Sequence, residues 1–182
     1  MRSPSDAPWI TVRSARPDDA TRLAAFAART FREAYAAQMP WDDVKAYCES
    51  SYNADRQAAE IADRTVATLL AEVDATLAGF VQLRSGEAPP CVEAQRSIEL
   101  WRLYVDARWQ GRGVAQALMS RAEETAKSRD AALLWLGVWE RNARAQAFYG
   151  KCGFSKVGTL PFTLGRELQT DLVMVRALSA KA

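Results

Sequence analysis

The chain has 182 residues, 49% of them hydrophobic and 25% charged, which suits one ordinary domain with a sizeable core and is short for two. Lys and Arg number 24 against 22 Asp and Glu, and a net charge of +2 argues against a dedicated nucleic-acid binder. Histidine is absent, which removes Ser–His and Cys–His nucleophile systems and the commonest metal ligand; the three cysteines, Cys48, Cys91 and Cys152, stand far apart with no CxxC pair, so neither a disulfide framework nor a metal site is expected.

Residues 1–8 read as a flexible tail, and 9–178 as the domain. WITVRSA, Trp9 to Ala15, alternates as a first strand. In the next stretch Pro17 suits a first helical turn, where Asp18 and Asp19 complement the helix dipole. Leu23, Phe26, Ala27, Phe31 and Ala34 then recur at helical spacing as a core face. Residues 39–63 predict short helices broken near Ser50 to Asn53, with Asp42, Asp43, Glu49, Asp55, Glu60 and Asp63 against Lys45 and Arg56. TVATLLAEV and TLAGFVQLRSG predict an antiparallel pair turning at Asp74 and Ala75, and Pro89 and Pro90 make GEAPPCVEAQ a loop.

IELWRLYV, Ile98 to Val105, reads as a central strand. VAQALMSRAEETAKSR is a helix with Val114, Leu118, Ala122 and Thr125 on one face, and ALLWLGVW is a buried strand. NARAQAFYGKC is a second late helix, closed by Gly153, a good left-handed terminator. FSKVGTL and TDLVMVRAL are the last strands, completing an α/β order with no internal repeat. No apolar run approaches the roughly 20 residues that span a membrane, and MRSPSDAPW lacks the apolar core of a signal peptide, so a cytoplasmic protein with no membrane partner is expected.

RWQGRGVAQALM, Arg108 to Met119, concentrates backbone freedom and positive charge at a helix start. Four unpaired N–H groups and about half a positive charge make such a terminus an anion cradle, and glycines let a ligand approach the backbone. Gly111 and Gly113 supply that freedom, and Arg108 and Arg112 can add charge, so a phosphate or pyrophosphate is the expected ligand. No GxxxxGK[ST] string occurs, and the glycine pattern follows a late strand and not the first, which weakens P-loop and dinucleotide readings. An ordinary glycine-containing turn is the plain alternative.

QGRGVA directly after LYVD, followed some 30 residues later by LGVWERNARAQAFYGKCGF, resembles the GNAT superfamily of acetyl-CoA-dependent N-acetyltransferases, over roughly residues 10–178 and most strongly from Ile98 to Val157. The resemblance implies a single GNAT-like α/β domain: a mixed central sheet of about seven strands, helices on both faces, and a splayed pair of parallel strands. It implies that pyrophosphate rests on the backbone of Gln110, Gly111, Arg112, Gly113, Val114 and Ala115. The thioester arm lies in the splay against the backbone of Leu103, Tyr104 and Val105, with Asn142 and Lys151 completing the acetyl-CoA site. Ala115 and Ala107 stand where a glycine and a proline are common in the family.

Tyr149 matches the tyrosine that family members use as general acid on the departing thiolate; the plain alternative is a core tyrosine. It lies seven residues after Asn142, so both face one side of the helix, about 20° apart. Asn142 would also serve as an N-cap. Glu99 matches a glutamate acting on the amine, often through water, and strand alternation puts it with Trp101, Leu103 and Val105 before any bulge. The alternative is a solvated strand end; Glu140 is a weaker candidate. Loss of Tyr149 would be expected to remove a high-pH limb of the rate profile.

IELWRLYVDARWQGRG, LWLGVWERN and FTLGRELQTDLVMVRAL are similar to bacterial polyamine (spermidine/spermine) N-acetyltransferases. The implied reaction is acetyl transfer from acetyl-CoA to a primary amine, most simply a small polyamine, by direct attack in a ternary complex with no metal. The acidic 39–63 segment would suit a polycation, with Trp41, Tyr47 and Tyr52 stacking on it. Another amine (a protein N-terminus, lysine, amino acid or drug) and a non-catalytic acetyl-CoA-binding module stay open, as does a homodimer.

Overall fold

The computed structural model describes residues 9–164 and 167–179. The expected tail at 1–8 lies outside the described residues. Seven strands form one sheet in the order β1-β2-β3-β4-β5-β7-β6, with β1 at Ile10–Ser14, β2 at Val66–Val73, β3 at Thr76–Ser85, β4 at Ser97–Val105, β5 at Leu133–Trp139, β6 at Ser155–Leu164 and β7 at Glu167–Ala177. Five helices complete the order: α1 at Ala20–Tyr35, α2 at Trp41–Ser51, α3 at Ala54–Ala62, α4 at Val114–Ser128 and α5 at Ala143–Lys151. The last two strands run longer than the sequence reading placed them, as a continuous antiparallel pair.

Helices cover both faces. On one, Val114, Leu118, Met119, Ala122 and Ala126 of α4 pack with Ile98, Leu100, Leu134 and Leu136 of the sheet. Ala126, one residue beyond the expected Thr125, closes that stripe. On the other face, Leu23, Phe26, Ala27 and Phe31 of α1 and Val44 and Cys48 of α2 pack on Leu70 and Phe80. Ala34 is exposed and lines the cavity described below, so it does not extend the core face.

Pro17 opens a 3-10 turn, Pro17–Asp19, ahead of α1. Asp19 is a buried hub there and not a dipole partner in solvent: its carboxylate accepts from the Arg16 N–H at 2.7 Å, from Arg13 and from Arg22. The arginines hold it well below the usual carboxylate range. The β2–β3 turn has positive φ at Asp74 (49°) and Ala75 (60°), the conformation a two-residue hairpin requires.

β4 and β5, the one parallel pair, are in register only at Ser97–Leu133, Ile98–Leu134 and Glu99–Trp135. Beyond Glu99 they separate while β4 stays paired to β3 through Val105, with a register shift that leaves Trp101 as an extra residue. A bulge of this kind bends its strand and increases the local twist. The gap between β4 and β5 positions everything that follows.

Candidate active site

A cavity of about 1190 Å³ passes through the strand gap, and its walls include Glu99, Leu103, Tyr104, Val105, Gln110, Gly111, Ala115, Asn142, Tyr149 and Lys151. Ten of the residues singled out in the sequence therefore meet in one space. Arg112, Gly113 and Val114 do not line it: Val114 is fully buried in the core and Gly113 shapes the backbone behind the wall.

At the cradle, Gly111 and Gly113 have φ of +76° and +90°, the left-handed region that favours glycine. A Cβ on Gly111 would meet no protein atom within 4 Å, so it would project into free space at the cavity wall. The earliest bond into α4 runs from the Ala117 N–H to the Gly113 carbonyl, at 3.0 Å, leaving the first-turn N–H groups without intrahelical acceptors. Those donors, offered beside a space that a side chain would fill, fit a pyrophosphate.

Two cradle expectations need correction. Arg108 is bound to Asp106 through Nε at 3.0 Å and Nη2 at 2.9 Å, and Arg29 donates to the same carboxylate at 2.7 Å. Arg108 therefore braces the loop, and the arginines hold the buried Asp106 well below the usual carboxylate range. The Arg112 N–H is committed to the Trp109 carbonyl at 3.2 Å, and its guanidinium lies 5.6 Å from the Trp109 ring centroid. Gln110 folds back so that its amide donates to the Val105 carbonyl at 3.0 Å, tying the loop to the end of β4.

Asn142 caps α5 by accepting from the Ala145 N–H at 3.1 Å, and it borders the cavity from that position. Tyr149 packs its ring against Phe148 and Phe154, with centroids 5.5 and 5.7 Å away. Its burial raises the phenol pKa well above the ordinary value.

The bulge corrects the strand alternation. Leu103 and Val105 pack on the α4 face with Leu100, whereas Tyr104 packs on the α1 face. Glu99 shares the second face with Arg84, Trp101 and Arg102: its Oε2 accepts from Arg84 at 2.6 and 2.9 Å, and both guanidinium groups lie over the Trp101 ring. Burial raises the Glu99 pKa, against the lowering pull of Arg84 and Arg102.

The α1 side of the cavity is an aromatic chamber. Phe31 lies 4.6 Å from both Tyr35 and Tyr47 by ring centroid, and Tyr35 lies 5.9 Å from Trp139. None of the six acidic residues of 39–63 lines this chamber, and Trp41 is exposed. Glu60 points inward instead, 2.7 Å from Arg102 in a buried network with Gln57 and Gln82. Tyr47 and Tyr52 do border the chamber.

Asp171 is the wall residue that the sequence reading missed. Its Oδ2 lies 3.2 Å from where a Cβ on Gly137 would stand, so the glycine makes room for the carboxylate against β5. Burial alone pushes its pKa up to about 6. The signal was present in TDLVMVRAL: Asp171 is in phase with Val173 and Val175, a carboxylate at an inward-facing position of the strand.

A sheet opened between its one parallel pair, with a glycine cradle at the helix behind the gap, defines the domain of an acetyl-CoA-dependent N-acetyltransferase. The acetyltransferase (GNAT) family profile matches residues 24–154, and the chain belongs to that family. An uncharacterized N-acetyltransferase of Mycobacterium bovis is 37% identical over 160 residues, covering 88% of this chain and 98% of that protein. One from Lactobacillus delbrueckii subsp. lactis is 29% identical over 160 residues, covering 88% and 92%. Among solved structures, the paia N-acetyltransferase of Thermoplasma acidophilum in complex with coenzyme A superposes with a TM-score of 0.77 at 22% identity, covering 93% of this chain and 99% of that one. The ribosomal-protein-S18-alanine N-acetyltransferase of Escherichia coli gives 0.65 at 18%, covering 96% and 97%.

Proposed function

We propose that this protein transfers the acetyl group of acetyl-CoA to the primary amine of a small cationic acceptor, of the polyamine type, by direct attack in a ternary complex. One observation carries the reading: a single cavity joins the glycine cradle to an aromatic chamber with carboxylates in its wall, so both reactants can meet in the strand gap. The coenzyme A bound to the Thermoplasma acidophilum neighbour supports the same use of the cradle. Aromatic faces and carboxylates are the groups that attract ammonium and its methylene chain. The acidic side chains of 39–63 do not line the chamber and give the polyamine no support, so that part of the reading rests on Glu99, Asp171 and the rings around them.

In this reading pyrophosphate sits on the N–H groups that open α4. The thioester arm lies between β4 and β5 against Leu103, Tyr104 and Val105, with Asn142 and Lys151 beside it. Tyr149 protonates the departing thiolate. Burial disfavours its phenolate, and the same desolvation raises the basicity of a thiolate formed beside it, so donation stays matched. Both Arg84 bonds fall on Oε2 of Glu99, and Oε1 is the oxygen that works, accepting from an ordered water or from a second ammonium of the acceptor.

The test is release of free thiol on mixing the protein with acetyl-CoA and a panel of amines. Turnover with diamines and longer polyamines above amino acids and peptide N-termini is the expected result. A preference for the latter overturns the acceptor assignment, and binding of acetyl-CoA without thiol release on any amine overturns the catalytic reading.

A further inference from the structure

We propose that Asp171 is a catalytic residue, the carboxylate that directly receives the acceptor nitrogen in the strand gap and takes its proton as the amide forms. The inference rests on the acetyl-transfer reading above and adds to it the group that touches the nucleophile.

Placement carries it. The paired part of β4 and β5 ends at Glu99 and Trp135, and Asp171 lies against Gly137, two residues or about 7 Å further along β5, where the strands have parted. Gly137, Trp139 and Asp171 lie on the sheet face that carries the aromatic chamber, and all three line the cavity. The other carboxylates on or behind this wall are engaged, Glu99 with Arg84, Glu33 with Arg29, Glu60 with Arg102, and Asp106 with Arg29 and Arg108, while Glu140 is exposed and does not line the cavity. No salt bridge or hydrogen bond to the Asp171 side chain occurs among the described residues. A half-buried carboxylate without a partner is costly to keep, and a cation in the chamber would relieve that cost.

The groups facing it are few. Tyr35 of α1 lines the same cavity, 5.9 Å from Trp139 by ring centroid. Tyr47 of α2 borders the same chamber, and the neighbours on β5 and β6, Gly137, Trp139 and Leu160, carry no charge. Among the described residues no guanidinium or ammonium forms a salt bridge with Asp171; Arg141, a cation on the cavity wall, is 6.0 Å from the ring centroid of Trp139, the cross-strand neighbour of Asp171.

The acceptor docks on Asp171 as an ammonium and loses that proton to solvent before it reacts. Its lone pair attacks the thioester carbon, the N–C bond forms and the C–S bond breaks. One N–H proton, made acidic by the new bond, passes to Asp171, and the sulfur takes the proton of Tyr149. Solvent then returns a proton to Tyr149 and removes the one on Asp171, leaving amide and free thiol.

Asp171→Asn keeps the shape and removes the base. With an amine that the wild type turns over, kcat should fall about 10²-fold while acetyl-CoA affinity is unchanged. In the wild type, kcat/KM for the amine should climb about two decades per pH unit below pH 6, where both the amine and Asp171 (pKa about 6) must lose protons, and one decade above it. The D171N profile should climb one decade throughout, whereas Glu99→Gln should keep the break. An independent readout is stability. The folded-state pKa of Asp171 is raised above the ordinary carboxylate value, so ionisation destabilises the fold above about pH 6, and that penalty is gone below about pH 4. D171N should therefore melt higher than wild type at pH 7.5 and equally at pH 4. Wild-type kcat in D171N, or a rise in KM with the break near pH 6 intact, overturns the proposal. Failure of the wild type on every amine instead removes the underlying acetyl-transfer reading.

Discussion

Tyr149 and Glu99 show how far a residue's surroundings decide its chemistry. Tyr149 is recognisable from its position after Asn142, but its burial is a tertiary fact. With the phenol pKa pushed well above the ordinary value, Tyr149 stays protonated through the whole workable pH range. The high-pH limb expected from the sequence should accordingly be missing in the wild type. Tyr149→Phe keeps the ring packed on Phe148 and Phe154 and should lower kcat about 10²-fold at every pH, with acetyl-CoA affinity unchanged by calorimetry. Near-wild-type kcat, measured where chemistry limits the rate, would return Tyr149 to a packing role. Glu99 was legible as a strand glutamate, but its pairing with Arg84 depends on a partner 15 positions earlier in another strand, which no local pattern reveals.

At the scale of elements, the loop into α4 and the bulge in β4 do the positioning. The loop was legible because glycine at left-handed φ leaves a local mark in sequence. The bulge was not, because its trace is one extra residue in the pairing of β3 with β4. A period-2 reading carried past Trp101 assigns Leu103 and Val105 to the wrong face. Gly111→Ala is the sharper probe of the cradle, since a methyl there meets no protein atom and projects into the space proposed for the pyrophosphate. Left-handed strain should cost about 1 kcal/mol and lower the melting temperature by only about 2–4 °C. Acetyl-CoA affinity, read by titration calorimetry, should fall at least tenfold, or about 1.4 kcal/mol. Unchanged affinity would reduce the loop to a turn.

For the whole molecule, the acidic segment 39–63 shows where composition misleads. Its charges look like a polycation surface in sequence, yet Glu60 is drawn into the core by Arg102, and one carboxylate of the cavity wall, Asp171, comes from the far end of the chain. The fold and the wall proposed for acetyl-CoA were legible because the residues that form them are written in local spacing around Gly111 and Tyr149. The acceptor half is assembled from α1, α2, β4, β5 and β7, and only the tertiary structure brings Tyr35, Trp139 and Asp171 together.

In the proposed reaction acetyl-CoA and amine occupy one cavity together, and the acetyl group passes directly between them. Three cysteines, Cys48, Cys91 and Cys152, are free thiols, and transfer through an acetyl-cysteine would be the chemical alternative. Initial velocities over a matrix of acetyl-CoA and amine concentrations separate the two. Double-reciprocal lines that intersect are the predicted result, and parallel lines, the mark of a covalent acetyl-enzyme formed before the amine binds, would contradict it.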